Sequence, residues 1–204
     1  MMGAIQKNLV LCGVGGQGTV LASKLLAAAA MEQGLTVMSA ETIGMAQRGG
    51  NVFSNIRIGQ GLHAPMIRKG EADLILGFEP GETVRMLPFL KQGGAVVTNL
   101  KAVKPTTATL SGSNYSGDQM VEYLKQVIPQ ERLFLVDGES ICRELGSTKC
   151  LNVVLLGAAV ATGAVGLTQD DVLAAIRKVV PARFLELNER AFAAGTRIGG
   201  SEGR

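Results

Sequence analysis

An apolar run that ends in glycines constrains this chain more than any other feature. Leu9-Val10-Leu11-Cys12 passes directly into Gly13-Val14-Gly15-Gly16-Gln17-Gly18. A strand that ends this way and opens into a helix lets the backbone turn tightly and approach a ligand closely. It also points free N–H groups of the helix N-terminus at an anion. Gly13, Gly15 and Gly18 keep the G-x-G-x-x-G spacing. Glu41 closes the next apolar run, Leu35 to Met38, 23 residues beyond Gly18, where a ribose-binding carboxylate stands in a dinucleotide fold. Spacing alone leaves two readings open: a cofactor loop, or a turn that packs a helix against a sheet.

The rest of the chain keeps the alternation of strand and helix that such a turn starts. Strands are expected over Lys7–Cys12, Leu35–Ala40, Val52–Ile58, Ala72–Phe78, Ala95–Asn99 and Leu133–Val136. Helices are expected over Gln17–Gln33, from Glu79-Pro80-Gly81 to Lys91, and over Gln119–Val127, Ile141–Leu145, Lys149–Val165, Thr168–Val179 and Phe184–Ala194. The expected fold is α/β: a mostly parallel, Rossmann-like sheet covered by helices on both faces, with a helical C-terminal third. One domain is expected over residues 3–197, followed by a disordered tail over residues 198–204.

Composition narrows the partners. Only 18% of the residues are charged, against about a quarter in ordinary soluble domains, which fits a subunit that docks against another chain, the favoured reading, or an Ala/Gly-rich monomer. Net charge is +3, and the basic residues form no run and do not interleave with aromatics, so nucleic-acid binding is not expected. Neither a signal peptide nor a membrane span is evident. Asn152–Leu167 is short for a span and interrupted by Gly157, Gly163 and Gly166. Cys12, Cys142 and Cys150 lie far apart without a C-x-x-C pair, which points to a reducing cytoplasm and away from an iron–sulfur cluster held by this chain.

A second glycine segment, Gly44-Met45-Ala46-Gln47-Arg48-Gly49-Gly50, is far less generic. Together with the first loop, with Ala72 to Pro80, Asp137 to Glu139, Asn152 to Gly157 and Asn188 to Phe192, it makes the chain resemble a known family nearly end to end. The chain is similar to the gamma subunits and domains of 2-oxoacid:ferredoxin oxidoreductases, in the branch that acts on indolepyruvate. The resemblance implies oxidative decarboxylation of a 2-oxoacid, an arylpyruvate such as indolepyruvate in this branch, to an acyl-coenzyme A, with electrons passed to ferredoxin. It implies a large partner subunit that carries thiamine diphosphate, Mg²⁺ and the iron–sulfur clusters. It assigns this chain no catalytic or metal-binding residue and no cofactor of its own, with coenzyme A as a ligand that it shares.

The candidate binding residues are Gly13, Gly15, Gly16, Gln17, Gly18, Glu41, Gln47, Arg48, Gly49 and Gly50. Arg48, between Gln47 and two glycines, can present a planar guanidinium to a carboxylate or phosphate, or pair with Glu41 at the surface. Asn152, opening an apolar helix, is expected to cap it or to anchor a buried hydrogen bond. Glu79 stands either on the ligand side of the sheet or as the cap of the following helix. A self-sufficient NAD(P)-dependent dehydrogenase remains the alternative, supported by the first loop and Glu41, but the single histidine, His63, leaves it without an evident acid–base dyad.

Overall fold

The computed structural model describes residues 6–43, 50–103 and 115–200. Six strands form one sheet: β1 (Gln6–Val14), β2 (Thr36–Ile43), β3 (Asn51–Gly59), β4 (Ala72–Gly77), β5 (Leu90–Asn99) and β6 (Leu133–Val136). Their order is β2-β3-β1-β4-β5-β6. β1, β4, β5 and β6 pair in parallel, whereas β3 lies antiparallel to both β1 and β2. The sheet is thus mostly parallel, with one reversed strand.

Seven α-helices accompany it among the described residues: α1 (Thr19–Glu32), α2 (Pro80–Met86), α3 (Gly117–Val127), α4 (Gly138–Glu144), α5 (Leu151–Ala161), α6 (Gln169–Val179) and α7 (Leu185–Gly199). β1 shows why its run is continuously apolar. Leu9 and Leu11 enter a large core with α1, α5, α6 and α7, while Val10 and Cys12 enter a smaller core with Ile67, Ile75, Met86 and Val96 on the other face. α5 is buried from Asn152 through Val160 and forms the centre of the large core.

Element ends differ from expectation for identifiable reasons. α2 stops at Met86 because Pro88, which has no N–H to donate, turns the chain into a 3₁₀ segment over Leu87–Phe89. β5 then starts at Leu90 rather than Ala95, with a register shift opposite Ala72–Leu74 that absorbs Lys91–Gly94. α5 ends at Ala161 rather than Val165. Thr162 Oγ1 donates to the Ala159 carbonyl, and Gly163 takes a left-handed φ of 74° that closes the helix. α7 runs past Ala194 to Gly199, into the start of the expected tail, because Gly195 and Gly199 lie against α5; residues 201–204 are outside the described residues.

Thr168 opens α6 with a capping box. Its hydroxyl accepts from the Asp171 N–H at 3.2 Å, and its own N–H donates to the Asp171 carboxylate at 2.8 Å. Thr168→Ala is expected to lower unfolding free energy by about 1 kcal/mol, read as a drop of a few degrees in a thermal melt. An unchanged melt would show that α6 is held by packing alone.

Candidate functional site

The site is set by where β1 and β4 part. They are parallel neighbours, yet β1 leads into α1 on the large-core face and β4 into α2 on the other face. A divergence of this kind opens a crevice beyond the carboxyl ends of the strands, where open α/β sheets bind ligands.

In this chain Gln17 stitches part of that crevice shut. Its Oε1 accepts from the Val14 N–H at 2.7 Å, and its Nε2 donates to the Phe78 carbonyl at 3.0 Å. Asn99 Nδ2 donates to the same carbonyl at 3.3 Å. Gly13 is required by this stitch, since a Cβ there would meet Gln17 Oε1 and the Phe78 Cβ at 2.7 Å. Gly18 has φ 85°, and a Cβ on it would meet Asn152 Nδ2 at 2.8 Å. Gly13, Gln17 and Gly18 therefore serve the chain's own turn and packing. Gly15 joins the two glycine segments, donating its N–H to the Gly50 carbonyl at 2.9 Å. Gly44 to Gly49, and with them Gln47, Arg48 and Gly49, lie outside the described residues.

Glu41 does not fall beside the first loop. It is an exposed residue of β2 paired with Ser54, and β3 separates β2 from β1. Two strand spacings amount to roughly 10 Å. In a dinucleotide fold the second strand adjoins the first, which brings its terminal carboxylate to the ribose. That arrangement is not formed here, and this corrects the dinucleotide reading of Glu41.

What stays open is a groove between Gly16, Gln17 and Gly18 on one side and Thr148, Lys149, Leu151 and Asn152 on the other. It adjoins a second hollow bounded by Asn99, Lys101, Gly138 and Glu139 that shares Thr148 and Leu151. Three features give the groove an anion-accepting character. Among the described residues no side chain caps the N-terminus of α1, so its first-turn N–H groups keep their positive field. Lys149 is exposed and makes no ion pair among the described residues. Asn152, 5% exposed, makes no side-chain hydrogen bond among the described residues. The sequence predicts Asn152 as a cap or anchor of α5; the chain enters α5 instead through a 3₁₀ turn over Thr148–Cys150, which leaves the amide directed at Gly18. Thr148 and Lys149 are groove residues that the sequence does not announce, because a lone lysine before a helix carries no pattern.

The other polar groups near the strand ends are committed to structure. Glu79 caps α2, accepting from the Glu82 N–H at 2.9 Å and from the Tyr115 hydroxyl. Of its two expected roles, this is the cap. Burial holds the Glu82 carboxyl above the usual carboxylate range, with Arg85 opposing the shift. Burial, then Glu82, pushes the Cys12 thiol far up. Asp137 caps α4 through the Ser140 N–H at 3.0 Å and its hydroxyl at 2.7 Å, and these bonds hold its carboxyl below the usual range. Glu139 pairs with Lys101 at 2.5 Å. Among the described residues no three His, Cys, Asp or Glu gather as metal ligands. No helix among the described residues is long and apolar enough to cross a membrane.

Residues 8–198 match the family model described as pyruvate ferredoxin/flavodoxin oxidoreductase. The chain is 38% identical over 189 residues to the indolepyruvate oxidoreductase subunit IorB of Methanothermobacter thermautotrophicus, covering 92% of this chain and 95% of that one. It is 31% identical over 182 residues to the common gamma subunit of the pyruvate/ketoisovalerate oxidoreductases of Thermococcus kodakarensis, covering 88% and 89%. Its fold is similar to that of the keto/oxoacid ferredoxin oxidoreductase gamma subunit of Geobacter sulfurreducens, with TM-score 0.68, 24% identity and coverage of 95% and 98%. It is also similar to part of the 2-oxoglutarate:ferredoxin oxidoreductase of Magnetococcus marinus, solved with 2-oxoglutarate, coenzyme A and succinyl-CoA bound, with TM-score 0.73, 18% identity and coverage of 95% and 31%.

Proposed function

The chain belongs to the pyruvate ferredoxin/flavodoxin oxidoreductase family, and we propose that it is the small subunit of an enzyme that oxidatively decarboxylates an arylpyruvate such as indolepyruvate to its acyl-coenzyme A. The observation that carries this reading is the 38% identity, over nearly the full length of both chains, to an indolepyruvate oxidoreductase subunit. Its relatives are small subunits of 2-oxoacid oxidoreductases. A stand-alone NAD(P)-dependent dehydrogenase is not supported, since Glu41 lies away from β1 and none of the proteins named above is one.

The larger partner is the place for thiamine diphosphate, Mg²⁺ and the iron–sulfur clusters. There they supply the decarboxylation chemistry and the path for electrons to ferredoxin. The residues of this chain do not fit those groups: Cys12, Cys142 and Cys150 form no ligand set with each other or with neighbouring carboxylates among the described residues. They do fit an anionic group. In this reading the uncapped α1 N-terminus, Asn152 and Lys149, together with the Gln47-Arg48-Gly49 segment, hold a phosphate of coenzyme A. The thiol-bearing sequence and the lack of a membrane-length helix among the described residues are in keeping with a cytoplasmic complex.

Two measurements test this. Co-purification with the large subunit should place iron, acid-labile sulfide and thiamine diphosphate in the partner, and 2-oxoacid-dependent dye reduction should need both chains. Stoichiometric iron or turnover by the small chain alone would overturn the assignment. Calorimetric titration of the complex with coenzyme A should show about tenfold to hundredfold weaker binding for Asn152→Ala, from loss of one hydrogen bond to a charged group. An unchanged affinity would remove Asn152 from the ligand contacts without touching the subunit assignment.

A further inference from the structure

The turn between α4 and α5 holds two thiols face to face. Cys142 lies in the last turn of α4 and Cys150 immediately precedes α5. Their sulfurs are 3.5 Å apart, in van der Waals contact, and both residues are buried, at 3% and 1% exposure. Ser147 pins both. Its N–H donates to the Cys142 carbonyl at 2.9 Å, its carbonyl accepts from the Cys150 thiol at 3.1 Å, and its hydroxyl accepts from the Lys149 N–H at 3.3 Å. Gly146, with φ 75°, makes the reversal that brings the two ends together. The turn is therefore ordered with the sulfurs already opposed. A disulfide needs the sulfurs to close to about 2.0 Å, a movement of about 1.5 Å.

Access distinguishes this pair from the third cysteine. Cys142 borders two solvent-connected hollows, one with Glu139, Arg143 and Lys149, the other with Asn99, Lys101 and Leu151. Cys12 lies in the sheet centre at 0% exposure and borders neither.

We propose that Cys142 and Cys150 form a reversible disulfide when the protein meets hydrogen peroxide, with Cys142 as the thiol that is oxidised first and Cys150 as the resolving one. In the first step a Cys142 S–O bond forms as the peroxide O–O bond breaks. This gives a sulfenic acid and one water, the thiol proton leaving with the departing oxygen. In the second step Cys150 Sγ attacks Cys142 Sγ; the S–S bond forms, the S–O bond breaks, and a second water leaves. The two thiols lose two electrons and the peroxide gains them. Burial, reinforced by Cys150, pushes the Cys142 thiol up to about 12, so the pair rests as thiols and reacts slowly. Thr148 and Lys149, which wall the groove beside the first glycine loop, lie inside the tethered segment.

The test treats the full chain in native buffer with hydrogen peroxide, then titrates thiols and maps non-reduced peptides by mass spectrometry. The expected result is loss of two of the three thiols, a linked Cys142–Cys150 peptide, and recovery of both thiols with dithiothreitol. Cys150→Ser should leave the sulfenic acid unresolved, with at least tenfold more dimedone label on Cys142 than in wild type. Three retained thiols, oxidation of Cys142 to sulfinic acid without linkage, or loss of Cys12 at the same rate as the pair would each overturn the proposal. The wild-type map stands whether or not the serine variant folds, and whatever ligand the groove takes.

Discussion

Gly195→Ala is expected to cost more than about 3 kcal/mol, and Gly195→Val to leave the chain unfolded at room temperature. α7 rests on α5 through three glycines with no room for a methyl group. A Cβ on Gly195 would lie 1.9 Å from the Val154 carbonyl oxygen and 2.9 Å from the Ala158 nitrogen. A Cβ on Gly199 would lie 2.1 Å from the Ala158 oxygen, and one on Gly157 would lie 2.3 Å from the Phe192 oxygen. The obstacles are backbone atoms of the facing helix, so no rotamer change relieves them. The helices must separate, and a gap of even 1 Å along the interface forfeits a quarter to a half of the attraction of each contact. α5 is also the helix buried from Asn152 through Val160, so the separation spreads into the large core. Gly163 is the control. It has φ 74°, and a Cβ on it would meet nothing within 4 Å, so Gly163→Ala should cost only the left-handed strain, about 1 kcal/mol. Urea denaturation of the three variants measures this. A Gly195→Ala chain within about 1 kcal/mol of wild type would show that α5 and α7 are not locked by backbone contact.

The sequence made some of this legible and concealed the rest for physical reasons. β6 is expected over Leu133–Val136 and forms there, because a short apolar run bounded by a proline turn and an aspartate cap has few alternatives. The β1–α1 turn is legible from glycine placement. The direction of β3 is not. Val52–Ile58 reads the same whether the strand runs parallel or antiparallel, and its insertion between β1 and β2 follows from the short connection after β2. Glu41 is misplaced by sequence for that reason: spacing along the chain matches a dinucleotide fold, while lateral position in the sheet does not. The glycines of the first loop read as room for a ligand. At Gly13 the room is filled by Gln17 and Phe78, and at Gly18 by Asn152, contacts that include segments far apart in sequence. The groove lysine and the opposed thiols are hidden likewise, since only the turn at Gly146 brings Cys142 to Cys150.

The two glycine segments meet at the Gly15–Gly50 hydrogen bond, and substitutions on either side of it are expected to separate scaffold from function. Gln17→Ala removes the acceptor of the buried Val14 N–H and one donor to the Phe78 carbonyl, which Asn99 still serves. Leaving the amide unpaired should cost about 1–3 kcal/mol of folding stability. Arg48 lies two residues before Gly50 and outside the described residues. In the proposed function its guanidinium engages a phosphate of coenzyme A or an acid of the large subunit. Arg48→Ala should then weaken that coupling by about 2–5 kcal/mol, as for truncation of one partner in a desolvated charge pair. Arg48→Lys keeps the charge but not the planar fork, so it should recover only part of the loss. The isolated subunit's melting temperature should move little with either Arg48 variant, because an arginine serving a ligand contributes little to folding. Holoenzyme assembly, coenzyme A affinity and thermal melts of the three variants read both axes at once. If the Arg48 variants assemble and bind as wild type while the free subunit loses several degrees of stability, Arg48 belongs to the scaffold with Gln17 and the anion site must be sought elsewhere.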